Sequence, residues 1–270
     1  MSIASAPILS EMIDNLNLTS PMKESEIDAY QIPGGPLILG LDNNGKPVER
    51  DGGIVGSFMI VGNSPHKGRL ENAIIRGIQT TRPTWDPPYS VSYMNQDEFD
   101  RFIQNRGQSK KIVTDATQAV FKSRETGNAL RFFGHQALKR QLNLALETME
   151  ENRDFMRQHD LFQIPDEMVY TLHISHLDRL RPQNDTDGIY KKLADLIEAD
   201  CTEYGVNLII GIDDSTRITK RLKDKLIILS LALDSQAISF AITGFKGMEN
   251  ASEHVGSIET RRGTFIPFRF

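Results

Sequence analysis

The chain has 270 residues, 39% hydrophobic and 25% charged, with a formal net charge of −5. That is an ordinary globular balance, enough for one large domain or two small ones, and its acidic excess argues against a broad nucleic-acid-binding face. The single cysteine, Cys201, excludes an intramolecular disulfide and a cysteine-rich zinc site, and no stretch approaches the roughly 18 apolar residues that span a bilayer.

The longest apolar run, Leu226–Leu233, is short and carries Ser230 inside it. The N-terminus lacks the basic segment and continuous apolar core of a secretory signal, so the chain reads as soluble. Residues 1–35 read as a leader, with a short amphipathic helix over Ile8–Leu18 and a strong breaker at Pro33-Gly34-Gly35-Pro36. Pro36–Leu41 is a predicted strand, and Asp42-Asn43-Asn44-Gly45 a hairpin turn into Lys46–Arg50.

From Phe58 onward, predicted strands and helices alternate. Phe58–Val61 is a strand. Gly68–Gln79 is a helix with Leu70, Ala73, Ile74, Gly77 and Ile78 on one face. Pro83–Pro88 is a turn, Tyr89–Met94 a strand, Asp97–Asn105 a short helix and Ile112–Thr114 a short strand. Gln136–Gln158 carries Leu138, Leu142, Ala145, Met149 and Met156 at helical spacing. Met168–Ile174 is a strand, and Gly188–Tyr204 a helix that turns Ile189, Leu193, Leu196, Ile197 and Cys201 inward. Val206–Ile212 is apolar apart from Asn207, the character of a central parallel strand. Leu226–Leu231, a short helix near Ser235–Thr243 and a strand at Thr264–Phe268 complete the series. This alternation predicts an α/β fold: a mainly parallel sheet covered by helices on both faces.

The chemistry concentrates at the first strand–helix junction. Residues Gly62-Asn63-Ser64-Pro65-His66-Lys67-Gly68-Arg69 have the layout of a phosphate-binding loop between a strand and a helix. They nearly spell G-x-x-x-x-G-K-[ST] but exchange Gly and Lys at its sixth and seventh positions. Arg69 stands where a magnesium-binding hydroxyl belongs, and Pro65 removes one N–H from the cradle. Gly62 and Gly68 still permit the wrap, and Lys67 reaches a phosphate if the loop shifts by one residue. Three readings follow: a loop that only joins strand to helix, a helix N-terminus that holds an anion without turnover, or a working ATP site.

Three further groups bear on the choice. The strand ending in Ser175-His176 lacks the paired acids that would hold magnesium and activate water, and Asp178 falls on the following turn. His176 reads as a structural histidine ahead of a catalytic base or metal ligand, because no second His or Cys shares its element at ligand spacing. Asp213-Asp214 end the apolar strand Val206–Ile212, where ligands of open α/β sheets gather. They read as a solvated loop with a cap at Asp214 or Ser215, or as a seat for a cation or a basic partner segment. Lys220–Lys225 and Arg261-Arg262 are basic groups that suit a solvated surface or an arginine finger.

The order of these pieces resembles the FtsK/SpoIIIE-type P-loop ATPases, and among them the degenerate C-terminal ATPase-like domains of EssC/EccC, the motor component of type VII secretion. The matching stretches are PLILGLDNNGKPVERD, FMIVGNSPHKGRLENAII, LHISHLDRL, GVNLIIGIDDS, KLIILSLALDSQAISFAITG and RRGTFIPF, which together span most of residues 36–270. The resemblance implies a RecA-like P-loop NTPase fold over 36–270. It places Gly62, Asn63, Ser64, Lys67, Gly68 and Arg69 at the nucleotide loop, and Ser175 and His176 at the paired acids. Departures at both places imply lost hydrolysis, with ATP and magnesium as doubtful ligands and no other cofactor or metal. They also imply a role in binding a WXG100-type export signal, in regulation or in assembly. An active ATP-driven protein or DNA translocase with atypical site residues is the alternative. The implied setting is a cytoplasmic domain of a membrane-anchored bacterial secretion protein. Its partners would be further ATPase domains of the same longer chain, secreted WXG100-type substrates and other copies in a hexamer. Nucleic acid is not among them.

Overall fold

A computed structural model describes residues 6–50, 57–94, 97, 101, 130–213, 225–243, 247–261 and 264–270. The chain divides into two compact units. The first comprises Met1–Pro83 and Gly211–Phe270, the second Thr84–Ile210.

In the first unit, strands β1 (Leu37–Leu41) and β2 (Pro47–Arg50) form the expected hairpin. The Asp42 carboxylate accepts N–H bonds from Asn44 (2.8 Å) and Lys46 (2.9 Å), and Gly45 takes the left-handed conformation at φ 72°. Both are standard turn chemistry. β3 (Phe58–Val61) leads into helix α3 (Lys67–Thr81), and β8 (Ile227–Ser230) lies parallel to β3. β9 (Val255–Arg261) and β10 (Thr264–Arg269) form a second antiparallel hairpin. Strand order within the unit is β2-β1-β10-β9-β8-β3. The parallel pair that carries the phosphate-loop position is thus extended by an antiparallel flank. Short connections allow this flank, since a two-strand hairpin can only be antiparallel. The sequence reading anticipated the first hairpin and missed β9, because Gly256 and Ser257 interrupt its apolar pattern.

Residues 6–31 pack onto this unit. Helix α1 (Ala6–Asn17) lies on β9 and β10 with Ile13 and Leu16 buried, and α2 (Glu24–Asp28) lies on α3 with Ile27 buried. Each fully buried side chain of this size contributes roughly 1.5–3 kcal/mol. The Asn17 amide donates to Asn250 O (2.8 Å) and accepts from Ser252 N (2.7 Å). Gln31 bridges the backbone of one residue from both sides, donating to Ile38 O (2.8 Å) and accepting from Ile38 N (3.2 Å).

In the second unit, β4 (Tyr89–Ser92), β5 (Leu130–Phe133), β6 (Tyr170–Ser175) and β7 (Val206–Ile212) run parallel in the order β7-β6-β4-β5. Gly211 and Ile212, which end β7, already belong to the first unit. All residues of β6 and β7 are buried, as the largely apolar composition of β7 predicts for that strand, whereas β6 also buries Thr171, His173 and Ser175. Helix α4 (His135–His159) buries Leu138, Leu142, Ala145 and Met149 of the stripe read from the sequence, while Met156, its last member, is half-buried. The predicted helix over 188–204 is two pieces: α5 (Ile189–Glu198), capped by the Asp185 carboxylate on the N–H groups of Ile189 (2.7 Å) and Tyr190 (2.9 Å), and a 3-10 turn (Cys201–Tyr204). Cys201 is buried on that turn, as expected. α6 (Gln236–Thr243), in the first unit, starts at the Ser235 hydroxyl. The helix predicted over 97–105, apart from residues 97 and 101, and the strand over 112–114 lie outside the described residues.

Replacing Gln31 by Ala leaves the N–H and C=O of Ile38 buried without these partners. Urea unfolding should show a loss of about 1–3 kcal/mol, whereas a solvent-facing segment would lose under about 0.5 kcal/mol.

Candidate functional site

The loop after β3 turns most of its donors onto the chain itself. The Gly62 N–H donates to Ile212 O (3.2 Å), tying the end of β3 to the end of β7. Gly62 has φ 127°, and a Cβ built there would stand 2.6 Å from Ala232 O, so glycine is required on both counts. The Ser64 hydroxyl donates to Glu253 O (2.7 Å) and accepts the His66 N–H (3.1 Å). The Lys67 N–H donates to Ser64 O (3.0 Å), and the Arg69 N–H to His66 O (3.0 Å). Pro65 has no N–H to offer. Gly68 differs from Gly62: a Cβ there would meet nothing within 4 Å. Asn63 and Gly68 are exposed.

The charged side chains follow the same pattern. Lys67, first residue of α3, is 3% exposed, and its ammonium is ion-paired with the Asp213 carboxylate. A buried ammonium requires such an answer, because leaving it unpaired costs several kcal/mol. The Asp213 side chain remains 34% exposed. Asp213 is thus engaged by a lysine of this chain's own loop, and the predicted cap at Asp214 or Ser215 lies outside the described residues. Arg69, at the hydroxyl position, donates its guanidinium to the carbonyl of Met22, in the segment between α1 and α2. His66 Nε2 lies 3.5 Å from the Glu253 carboxylate, a contact exposed enough to be weak. Asp214 and residues 220–224 lie outside the described residues, as does Arg262.

Ser175, His176 and Asp178 sit together in the second unit, at the end of β6. The Ser175 hydroxyl donates to the Ser92 hydroxyl (3.0 Å) at the matched position of β4. Two register pairs earlier, Ser90 Oγ lies 2.8 Å from His173 Nδ1, both buried. His176 turns the chain out of the strand in the left-handed conformation, φ 59°, and Asp178 lies on the 3-10 turn Leu177–Arg179. A cluster that sequence reasoning did not single out stands nearby. Asp187 accepts from Lys139 Nζ (2.6 Å) and pairs with His135 Nε2 (2.8 Å), and Tyr93 meets the His135 ring edge-on. The hydrogen bonds from Lys139 and His135 hold the Asp187 carboxyl below its usual range.

Magnesium triphosphate does not fit these residues. The loop offers an arginine in place of the coordinating hydroxyl, and the ends of β3 and β6 carry no free carboxylate pair of the kind a hard cation prefers. Among the described residues no cluster of His, Cys, Asp or Glu has the arrangement of a metal site. Nor is any described helix long and apolar enough to cross a membrane.

No protein-family model matches the chain, and no curated protein matches it in sequence. Solved structures do match it. The cytoplasmic domain of the Thermomonospora curvata type VII secretion ATPase EccC superposes with a TM-score of 0.64 at 12% identity, over 93% of this chain and 32% of that one. The pCW3 conjugation coupling protein TcpA, in its monomer form with ATPγS, gives 0.67 at 10% identity, over 94% and 70%. EssC ATPases 2 and 3 from Geobacillus thermodenitrificans give 0.61 at 9% identity, over 88% and 45%. The chain therefore has the α/β RecA-like fold of P-loop ATPases, in the form shared by the EccC and EssC domains and TcpA. It spans about a third of the EccC cytoplasmic domain.

The two loop glycines should separate on mutation. Gly62→Ala should cost roughly 1–3 kcal/mol by thermal or urea unfolding, and Gly68→Ala should stay within about 0.5 kcal/mol of the wild type. Equal costs would contradict the geometry. Asp187 supports a pH prediction. Its folded-state carboxyl is more acidic than the unfolded one, so its stabilisation is present above the unfolded value and fades as pH falls through the folded one. Asp187→Asn should flatten the acid arm of stability against pH while lowering stability near neutrality. An unchanged acid arm would contradict the assignment.

Proposed function

We propose that this chain is a non-hydrolysing ATPase-like domain of a type VII secretion motor. Its role is to bind an exported protein's WXG100-type signal, to regulate the motor, or to complete its assembly. One observation carries the reading: the loop that grips polyphosphate in a working P-loop has its own donors engaged by Asp213, Glu253, Ile212 and Met22. A cradle in that state holds β3 against α3 but presents little to a phosphate. The shared fold with EccC and EssC domains supports the secretion setting. One of these relatives, EccC ATPases 2 and 3, is described in complex with a signal sequence peptide. A RecA-like sheet without turnover remains a rigid platform for such a peptide, whose helical form would present i, i+3, i+4 apolar anchors. On this reading the chain is part of a longer, membrane-anchored protein, and its partners are that protein's other ATPase domains, the exported substrate and other copies in a ring.

The purified chain, given ATP and magnesium, should release no phosphate above the buffer blank, and Lys67→Ala should change nothing. Sustained release that Lys67→Ala abolishes would establish the alternative, an active translocase with atypical residues. Titration calorimetry with export-signal peptides should show saturable binding to this chain or its longer parent. Absence of binding to both would count against the signal-binding role.

A further inference from the structure

We propose that Asp213 is the resident anion of the loop: its carboxylate occupies the Lys67 ammonium that a phosphate would otherwise take and so keeps the loop closed to polyphosphate. This rests on the reading of the chain as a P-loop fold without turnover and specifies how its site is held shut. The two residues lie 146 positions apart and belong to the same compact unit. Lys67 is nearly inaccessible, with its side chain 4% exposed, whereas Asp213 is a third exposed. The pair is therefore asymmetric: the cation is sealed and only its carboxylate partner faces solvent. An anion that takes the Lys67 ammonium does so in place of the Asp213 carboxylate. On the same loop, the Ser64 hydroxyl is bonded to Glu253 O and the Arg69 guanidinium to Met22 O. Of the three contacts, only Lys67–Asp213 places a negative charge on the phosphate-gripping cation. Asp213 thus sets whether the loop's remaining positive charge is available, and it stands at the C-terminal end of β7, on the edge of the sheet where α/β folds receive ligands.

The test compares the 270-residue wild type with Asp213→Asn, Asp213→Ala and the double variant Lys67→Ala/Asp213→Asn, each titrated calorimetrically with inorganic tripolyphosphate and with ATP, both without magnesium. The expected result is at least about tenfold tighter tripolyphosphate binding by the single variants than by the wild type, with the gain lost in the double variant. ATP binding that rises in parallel identifies the triphosphate as the recognised group. Unchanged affinity in folded single variants, or a gain that persists without Lys67, overturns the proposal. A second readout needs no variant. In reductive methylation of the wild type, Lys67 should be the least modified of the described lysines, and tripolyphosphate should not change this; ready modification of Lys67 overturns the proposal. Phosphate release from ATP by the wild type would instead defeat the non-hydrolysing reading, so the two failures are distinguishable.

Discussion

A lysine ammonium buried at the start of a helix has to meet a negative charge. In a P-loop that charge is phosphate; in this chain it is Asp213. The pairing fixes where α3 starts, holds the end of β7 against the loop and leaves the junction complete without a ligand. The rest of the site follows from this substitution of an internal carboxylate for an external one.

Each departure from the phosphate-loop pattern has acquired a structural use. The exchange of Gly and Lys makes Lys67 the first helical residue, within reach of Asp213. The arginine at position 69 would repel magnesium, but it binds the Met22 carbonyl and fastens the N-terminal segment to the loop. Ser64 shapes the turn with its hydroxyl and ties it to Glu253. In the second unit, β6 ends in Ser175 and His176, and Ser175 joins Ser92 at the matched position of the parallel strand β4. The two hydroxyls satisfy one another in a half-buried pair.

Much of this was legible in the chain because local physics writes it locally. The apolar run at Phe58–Val61, the helical stripe from Leu70 to Ile78 and the buried strand Val206–Ile212 are contiguous signals, and all three stand in the structure. The failed loop pattern was visible for the same reason. Strands β5 and β9 were not, since Leu130–Phe133 is short with an arginine inside it and Val255–Arg261 breaks its own alternation at Gly256 and Ser257. The partners of the loop were the least legible. Asp213 and Glu253 lie 146 and 189 residues from the side chains they engage, and no spacing rule links them. What residues 6–31 pack against was hidden likewise: the amphipathic pattern over Ile8–Leu18 announces a buried face but not the strands β9 and β10 that it covers.

The account is tested most directly by a structure determined after soaking with ATP and magnesium. It predicts that residues 62–69 keep the Lys67–Asp213 and Arg69–Met22 contacts and that no ordered triphosphate lies across them. A magnesium ion chelated between two phosphates within the loop, with Lys67 turned from Asp213 to meet them, would contradict it.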